Sequence, residues 1–175
     1  MARDSIATLP NLVSLSRLGM AAVFPFLEGP DERLLLIAAA GATDFLDGYL
    51  ARSRGTATRI GALIDPFADR CFILVAVFVL WMDGTIDLAA TLVLAVRDVA
   101  VLGAFLATRG AARFKDITFV ARPAGKVVTV LQLAALAIAY LSPAWLLASV
   151  LAVGVASVVA IADYARILWR GQSPA

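Results

Sequence analysis

Long apolar segments separated by short polar ones make up almost the whole chain. Six of them approach the length of about 20 residues that an α-helix needs to cross a bilayer. They cover residues 10–27, 33–51, 60–81, 87–108, 122–141 and 144–168. The pattern predicts an all-α, polytopic membrane protein with six transmembrane helices. Because the connections are short, we expect a single membrane domain over residues 1–175.

Composition agrees with a bilayer as the surrounding medium. Hydrophobic residues make up 62% of the 175 positions, more than in typical soluble domains. The first apolar segment contains Arg17 and lacks a small-residue cleavage pattern, so we do not expect a removable signal peptide. The single cysteine, Cys71, excludes an intramolecular disulfide. The absence of histidine excludes catalysis by histidine and metal ligation by histidine.

Charge is distributed unevenly between the two sets of helix ends and loops. One set is strongly basic and includes Arg3, Arg52, Arg54, Arg59, Arg109, Arg113, Lys115, Arg122, Lys126, Arg166 and Arg170. The opposite loops are mainly acidic, with Glu28, Asp31, Glu32, Asp83 and Asp87 beside Arg33. The positive-inside rule therefore predicts both termini in the cytoplasm. We expect an integral protein of the bacterial inner (plasma) membrane.

Two pairs of aspartates occupy the second and third segments near the cytoplasmic side. Asp44 and Asp47 are spaced i, i+3, and Asp65 and Asp69 are spaced i, i+4, so each pair shares a helix face. A short basic turn joins the two helices as an antiparallel hairpin that can bring all four together. Four such carboxylates must be protonated, paired with arginine or bound to cations. Two Mg²⁺ ions would suit a carboxylate cage that clamps a transferring phosphoryl group.

Glycine and arginine residues accompany the aspartates. Gly48 follows Asp47 directly, and Gly61 precedes Asp65 by one helical turn. Glycine costs stability inside a helix, but it lets a ligand or another helix approach the backbone closely. Arg52 lies one turn beyond Gly48, where it can meet a phosphate or a carboxylate.

The remaining charged residues each have a structural alternative to a functional role. The lone aspartates Asp4, Asp83 and Asp87 are predicted to be solvated caps. Arg97 and Asp98 interrupt the fourth segment near its middle. An ionisable residue inside a membrane is a functional hypothesis by default, and a structural pairing with another charged residue is the alternative. The basic residues of 109–126 are either an acceptor-binding surface or only the positive charge of a cytoplasmic loop.

The acidic and glycine positions form one continuous pattern. It reads Asp44-x-x-Asp47-Gly48-x-x-Ala51-Arg52, eight residues, then Gly61-x-x-x-Asp65-x-x-x-Asp69. All eight fixed positions resemble the signature of the CDP-alcohol phosphatidyltransferase family. The resemblance implies a phospholipid-synthesis enzyme with six spans and cytoplasmic termini. Such an enzyme transfers the phosphatidyl group of CDP-diacylglycerol to an alcohol and releases CMP.

The resemblance also implies roles for particular residues. Asp44, Asp47, Asp65 and Asp69 would hold Mg²⁺ or Mn²⁺, two ions in all, and Asp69 would also be the general base. Four further residues would line the donor nucleotide: Gly48, Ala51, Arg52 and Gly61. We expect a homodimer, lipid partners and no nucleic-acid partner.

The acceptor alcohol is less clearly indicated. The start Pro10-Asn11-Leu12-Val13-Ser14-Leu15-Ser16-Arg17 looks like that of the branch containing phosphatidylglycerophosphate synthases and cardiolipin synthases, which makes Asn11 and Arg17 candidate substrate contacts. The synthases that use glycerol 3-phosphate usually show R-E and G-K-x-K-T-x-x-Q. This chain has Arg97-Asp98 and, over residues 125–132, GKVVTVLQ, and both departures favour the cardiolipin synthase type.

Five basic residues near the fourth and fifth segments instead suit a free phosphate on the acceptor. These predicted acceptor-binding residues are Arg97, Arg109, Arg113, Arg122 and Lys126. We place glycerol 3-phosphate first and phosphatidylglycerol second. A cation or proton transporter is a remote alternative, because the aspartates cluster at one end of two helices and the segment 72–80 beyond them is wholly apolar.

Overall fold

The computed structural model describes the backbone of residues 9–54, 61–110 and 123–170. Within these ranges it describes the side chains of residues 15–43, 68, 70–103 and 125–163. Helix dominates the described backbone, and no strand occurs in those three ranges. The expectation of an all-α protein is confirmed.

Six α-helices follow one another in the described ranges, as the apolar pattern predicted. Their bounds are α1 Leu9–Val23, α2 Pro30–Arg54, α3 Gly61–Met82, α4 Leu88–Gly110, α5 Pro123–Leu141 and α6 Leu146–Arg170. A short 3₁₀ turn at Phe24–Phe26 follows α1, and another at Pro143–Trp145 precedes α6. The helices overlap all six predicted segments, and α2 begins at Pro30 because proline is well suited to the first turn of a helix.

Hydrogen bonds cap both the end of α3 and the start of α4. The amides of Gly84 and Thr85 donate to the carbonyls of Trp81 and Leu80 at 3.0 and 2.9 Å, which is the Schellman arrangement. Gly84 has a φ of 72°, a conformation that glycine adopts at little cost. Asp87 then caps α4, since its Oδ1 accepts from the amide of Ala90 at 2.7 Å. The prediction of a helix cap at Asp87 is therefore confirmed, and Asp4 lies outside the described residues.

The contacts divide the chain into two compact units, residues 1–85 and 86–175. In the first unit α1 packs against α2 and α3. Its core includes the fully buried Phe24 and Leu80. Phe24 meets Phe72 edge to face, with ring centroids 5.8 Å apart, a favourable aromatic arrangement. The single membrane domain over residues 1–175 stays a prediction.

In the second unit α6 packs against both α4 and α5. Leu94, Leu136 and Val153 form part of its apolar core. A Cβ added to Gly154 would lie 3.1 Å from Cγ1 of Val93, so α4 and α6 approach closely at this glycine. Close helix approach at small residues is common in membrane bundles.

Apolar length among the described residues is greatest in the last helix. Residues 143–163 form one segment that is long and apolar enough to cross a membrane, with a mean hydropathy of 2.4. Shorter apolar helical segments cover Leu15–Phe26, Arg70–Met82 and Gly125–Leu141. Six complete spans and the orientation of the termini stay predictions.

Arg33 connects three parts of the first unit. Its Nε donates to the carbonyl of Leu27 at 2.7 Å, and its Nη1 pairs with the Asp83 carboxylate. The guanidinium also lies 5.9 Å from the centroid of the Phe24 ring, within cation–π range. Asp83, predicted to be only a solvated cap, is instead the ion-pair partner that links the end of α3 to the start of α2.

We expect Arg33→Met to lower the free energy of unfolding by roughly 1–2 kcal/mol, because it removes hydrogen bonds to one charged and one neutral acceptor. Thermal unfolding in detergent measures the change. Glu32→Ala, at the exposed neighbouring position, is the matched control and should leave stability close to wild type. Equal stability of Arg33→Met and wild type would show that the pair contributes nothing.

Candidate active site

The ion pair between Arg33 and Asp83 sets the register of α2 against α3. Asp47 lies fourteen residues after Arg33, and Asp69 lies fourteen residues before Asp83. At a rise of about 1.5 Å per residue, both backbone positions are about 21 Å along their helices from the ion pair. The ion pair holds the start of α2 near the end of α3, and only six residues join the opposite ends, so the two helices run in broadly opposite directions. We therefore expect Asp47 and Asp69 to lie at a similar level of the first unit.

The other two aspartates lie on either side of this level. Asp44 is eleven residues from Arg33, and Asp65 is eighteen residues from Asp83. These separations correspond to about 16 and 27 Å along the helix axes, so the four backbone positions differ by about 11 Å in their axial distance from the ion pair. The second half of α2 and the first half of α3 thus each carry two aspartates at comparable distances from the ion pair.

The chemistry of this donor set fits a hard divalent cation. Carboxylate oxygens are the ligands that Mg²⁺ and Mn²⁺ prefer. The four aspartate side chains lie outside those that the structure describes, as do Gly48, Ala51, Arg52 and Gly61. Among the described residues no group of three or more potential metal ligands occurs. Metal ligation and nucleotide binding at these positions stay predictions.

The two candidate contacts near the N-terminus lie on α1. Asn11 is in its first turn, with a side chain outside the described set. Arg17 is 3% exposed, and α1 packs against the two helices that carry the aspartates. Arg17 therefore belongs to the interior of the first unit, where a buried arginine needs compensating partners.

The predicted acceptor-binding residues are distributed over α4, α5 and the segment between them. Arg109 is in the last turn of α4, and its side chain is among those not described. Arg113 and Arg122 lie outside the described residues. Lys126 is in the first turn of α5 with an exposed side chain, whereas Arg97 is 3% exposed inside the second unit.

Arg97 and Asp98 form a buried polar network with α5. Arg97 Nη1 donates to Asp98 Oδ1 at 2.6 Å, and Arg97 Nη2 donates to the carbonyl of Gly125 at 3.0 Å. Gln132 Nε2 donates to Asp98 Oδ2 at 2.5 Å and to the carbonyl of Leu94 at 2.6 Å. Asp98 and Gln132 are fully buried. Arg97 and Asp98 therefore pair with each other, and an acceptor contact of Arg97 stays a prediction.

Gln132 is a residue whose role sequence reasoning missed. In the sequence it stands as the last position of the 125–132 pattern, although a glutamine inside an otherwise apolar helix is itself a signal of a polar partner. Ser157 of α6, also fully buried, was missed as well. Serine is common in helices of this composition, so nothing in the local sequence separates it from a packing residue.

The fold and these residues define a class of helical protein that has a pair of aspartates on each of α2 and α3, and a buried polar network between α4 and α5. A sequence profile of the CDP-alcohol phosphatidyltransferase family matches residues 7–162. The match covers most of the chain and includes every position of the acidic and glycine pattern. The chain belongs to this family.

Curated relatives carry the names of two related synthases. The chain is 36% identical over 108 residues to a cardiolipin synthase (CMP-forming) of Streptomyces coelicolor, covering 57% of this chain and 50% of that protein. It is 33% identical over 106 residues to the human cardiolipin synthase (CMP-forming), covering 58% and 35%. A CDP-diacylglycerol–glycerol-3-phosphate 3-phosphatidyltransferase of Cereibacter sphaeroides is 34% identical over 107 residues, covering 55% and 48%. The matched region thus spans a third to a half of these relatives.

Proposed function

We propose that this protein is a membrane enzyme that transfers the phosphatidyl group of CDP-diacylglycerol to an alcohol hydroxyl and releases CMP. The observation that carries the proposal is the eight-position acidic and glycine pattern, placed on two helices whose far ends are linked by Arg33 and Asp83. Membership of the family supports the same reaction. A carboxylate-lined transporter explains the acidic residues but not the glycines at their fixed spacing.

Each residue of the pattern has a part in the proposed reaction. Asp44, Asp47, Asp65 and Asp69 hold two divalent ions, which when bound neutralise the charge of the donor diphosphate. Asp69 accepts the proton of the attacking hydroxyl. The remaining four residues contact the cytidine diphosphate part of the donor: Gly48, Ala51, Arg52 and Gly61.

Glycerol 3-phosphate is the first acceptor that we propose. Four of the predicted acceptor-binding residues, Arg109, Arg113, Arg122 and Lys126, provide the charge that a free phosphate requires. The relative from Cereibacter sphaeroides is named for this acceptor. The product would then be phosphatidylglycerophosphate.

Phosphatidylglycerol is the second acceptor, and specific observations favour it. Asp98 stands where the synthases that use glycerol 3-phosphate usually have glutamate, and Val128 stands where they usually have a second lysine. Relatives named cardiolipin synthase match the chain over more than a hundred residues. The product would then be cardiolipin.

Purified protein with radiolabelled CDP-diacylglycerol decides between the two acceptors. Each acceptor is supplied in a separate reaction with Mg²⁺, and the lipid product is identified by chromatography. A labelled phosphatidylglycerophosphate supports the first proposal, and labelled cardiolipin supports the second. Absence of both products from folded protein would contradict the proposed reaction for these acceptors.

The basic residues of the acceptor region are expected to act on one substrate only. An arginine or lysine that holds a phosphate contributes roughly 1.5–3 kcal/mol, so its loss should raise the KM for glycerol 3-phosphate about tenfold to a hundredfold. A two-substrate kinetic matrix measures this effect in Arg109→Ala, Arg113→Ala, Arg122→Ala and Lys126→Ala. The KM for CDP-diacylglycerol should not change.

Arg170→Ala is the control for the acceptor variants. Arg170 has the same charge on the same predicted side of the membrane, but it has no proposed role in binding. Its KM for glycerol 3-phosphate should equal that of wild type. If none of the four variants differs from this control, the acceptor-phosphate site is wrong and phosphatidylglycerol becomes the better candidate.

The proposed reaction places the protein in a bilayer, because CDP-diacylglycerol is a membrane lipid. We propose six spans with both termini and the acidic cluster on the cytoplasmic side of a bacterial inner membrane. The charge distribution supports this orientation. A homodimer completes the proposal and rests on the family resemblance.

A further inference from the structure

The polar network of α4 and α5 has an unusual internal geometry. Adjacent residues of a helix point in directions about 100° apart, so an i, i+1 pair does not normally face each other. Arg97 nevertheless bonds Asp98, and its second terminal nitrogen continues to the carbonyl of Gly125. The ion pair between these two residues of α4 is therefore also hydrogen-bonded to α5.

The network holds α5 at two points. Gln132 bonds Asp98 and the carbonyl of Leu94, and Gly125 accepts from Arg97. Gly125 and Gln132 are seven residues apart, which is about two helical turns or 10 Å. Attachment at two levels restrains α5 against both rotation and sliding relative to α4.

Stability alone is a poor explanation for such a network. Replacing a buried ion pair with apolar residues of similar volume is often neutral or stabilising. What a satisfied buried polar network does provide is a unique register between the elements that it joins. In this unit the register determines where the first turn of α5 lies.

The first turn of α5 carries a residue with a proposed part in catalysis. Lys126 directly follows Gly125, and its side chain is exposed, whereas Gly125 is buried. We propose that Asp98 and Gln132 are positioning residues that, through Arg97 and the Gly125 carbonyl, hold Lys126 where it binds the acceptor. This inference rests on the proposed function, because Lys126 is assigned to the acceptor there.

Kinetics of two network variants test the positioning role. Gln132→Leu removes both bonds of the amide at similar volume, and Asp98→Asn removes the charge that orients Arg97. Each should raise the KM for the acceptor about tenfold, the scale of one charge-assisted bond, while the KM for CDP-diacylglycerol stays at its wild-type value. An equal change in both KM values, or none, would overturn the proposal.

Thr129→Val is the matched control for these variants. Thr129 Oγ1 donates to the same Gly125 carbonyl at 3.1 Å, but from within α5. Its removal leaves the connection to α4 intact, so the acceptor KM should not change. If Thr129→Val raises the acceptor KM as much as Gln132→Leu does, then losing any hydrogen bond of α5 raises this KM. The bonds between α4 and α5 would then have no separate positioning role.

A double variant tests whether the effect passes through Lys126. In a Lys126→Ala background the ammonium is already absent, so adding Gln132→Leu should raise the acceptor KM no further. Such non-additivity is the signature of residues that act on one contact. Additive increases in KM would show that Gln132 acts elsewhere, and that result would overturn the proposal.

Spin labelling gives a measurement that does not depend on activity. Cys71 is the single cysteine, so Lys126→Cys in a Cys71→Ser background accepts one label at the first turn of α5. The label should become more mobile when Gln132→Leu is added. Unchanged mobility, or failure of Gln132→Leu to fold, would overturn the positioning role. Inactivity of the wild-type protein would instead contradict the proposed function.

Discussion

Asp44→Asn, Asp47→Asn and Asp65→Asn are each expected to reduce turnover by about a hundredfold or more. Each substitution keeps the shape of the side chain but removes one negative ligand from the proposed cage. Metal-based charge stabilisation contributes several kcal/mol to such reactions, and each 1.4 kcal/mol corresponds to about tenfold in rate. The measurement is the initial rate of CMP release by purified protein with saturating donor and acceptor. Chelation of divalent ions by EDTA should stop the reaction, and added Mg²⁺ should restore it.

Asp31→Asn provides the control for the aspartate variants. Asp31 is an exposed residue in the first turn of the same helix, α2, and it lies at the opposite end from Asp44 and Asp47. Its removal costs at most a small helix-dipole contribution to stability and should leave turnover unchanged. Near-normal rates in all three cage variants, or activity that persists in EDTA, would refute the metal site.

Asp69→Asn is expected to abolish transfer while largely preserving the binding of CDP-diacylglycerol. Asp69 lies one turn beyond Asp65, so it is the acidic residue of α3 that we assign to the acceptor hydroxyl. Asparagine cannot accept that proton, but three carboxylates still hold most of the metal charge. Equilibrium binding of the donor, measured beside turnover in the same preparation, separates these two effects.

The comparison with Asp65→Asn shows whether Asp69 has a separate role. Asp65 is proposed as a ligand only, so its substitution should weaken donor binding and turnover together. If Asp69→Asn weakens donor binding as much as Asp65→Asn does, Asp69 is a ligand without a separate proton-transfer role. Measurable turnover near the wild-type rate in Asp69→Asn would exclude it as the general base.

Much of the fold follows from local sequence features. Apolar length predicts the six helices, Pro30 marks the start of α2, and Asp87 is recognisable as a cap. These features depend on residues close together in the chain, and local rules describe them well. The spacing of the aspartates predicted shared helix faces for the same reason.

Contacts between distant residues could not be predicted in this way. Asp83 looked like a solvated cap, but its partner Arg33 is fifty residues away. The pairing of Gln132 with Asp98 joins positions thirty-four residues apart. Helical periodicity identifies the face of each residue, whereas the partner depends on which helices pack together and in what register.

Release of CMP from CDP-diacylglycerol by the purified chain tests the central proposal most directly. With Mg²⁺ and either glycerol 3-phosphate or phosphatidylglycerol, the account predicts one CMP for each phosphatidyl group transferred to the acceptor, and no CMP after EDTA. Folded protein that binds CDP-diacylglycerol but releases no CMP with either acceptor would contradict it.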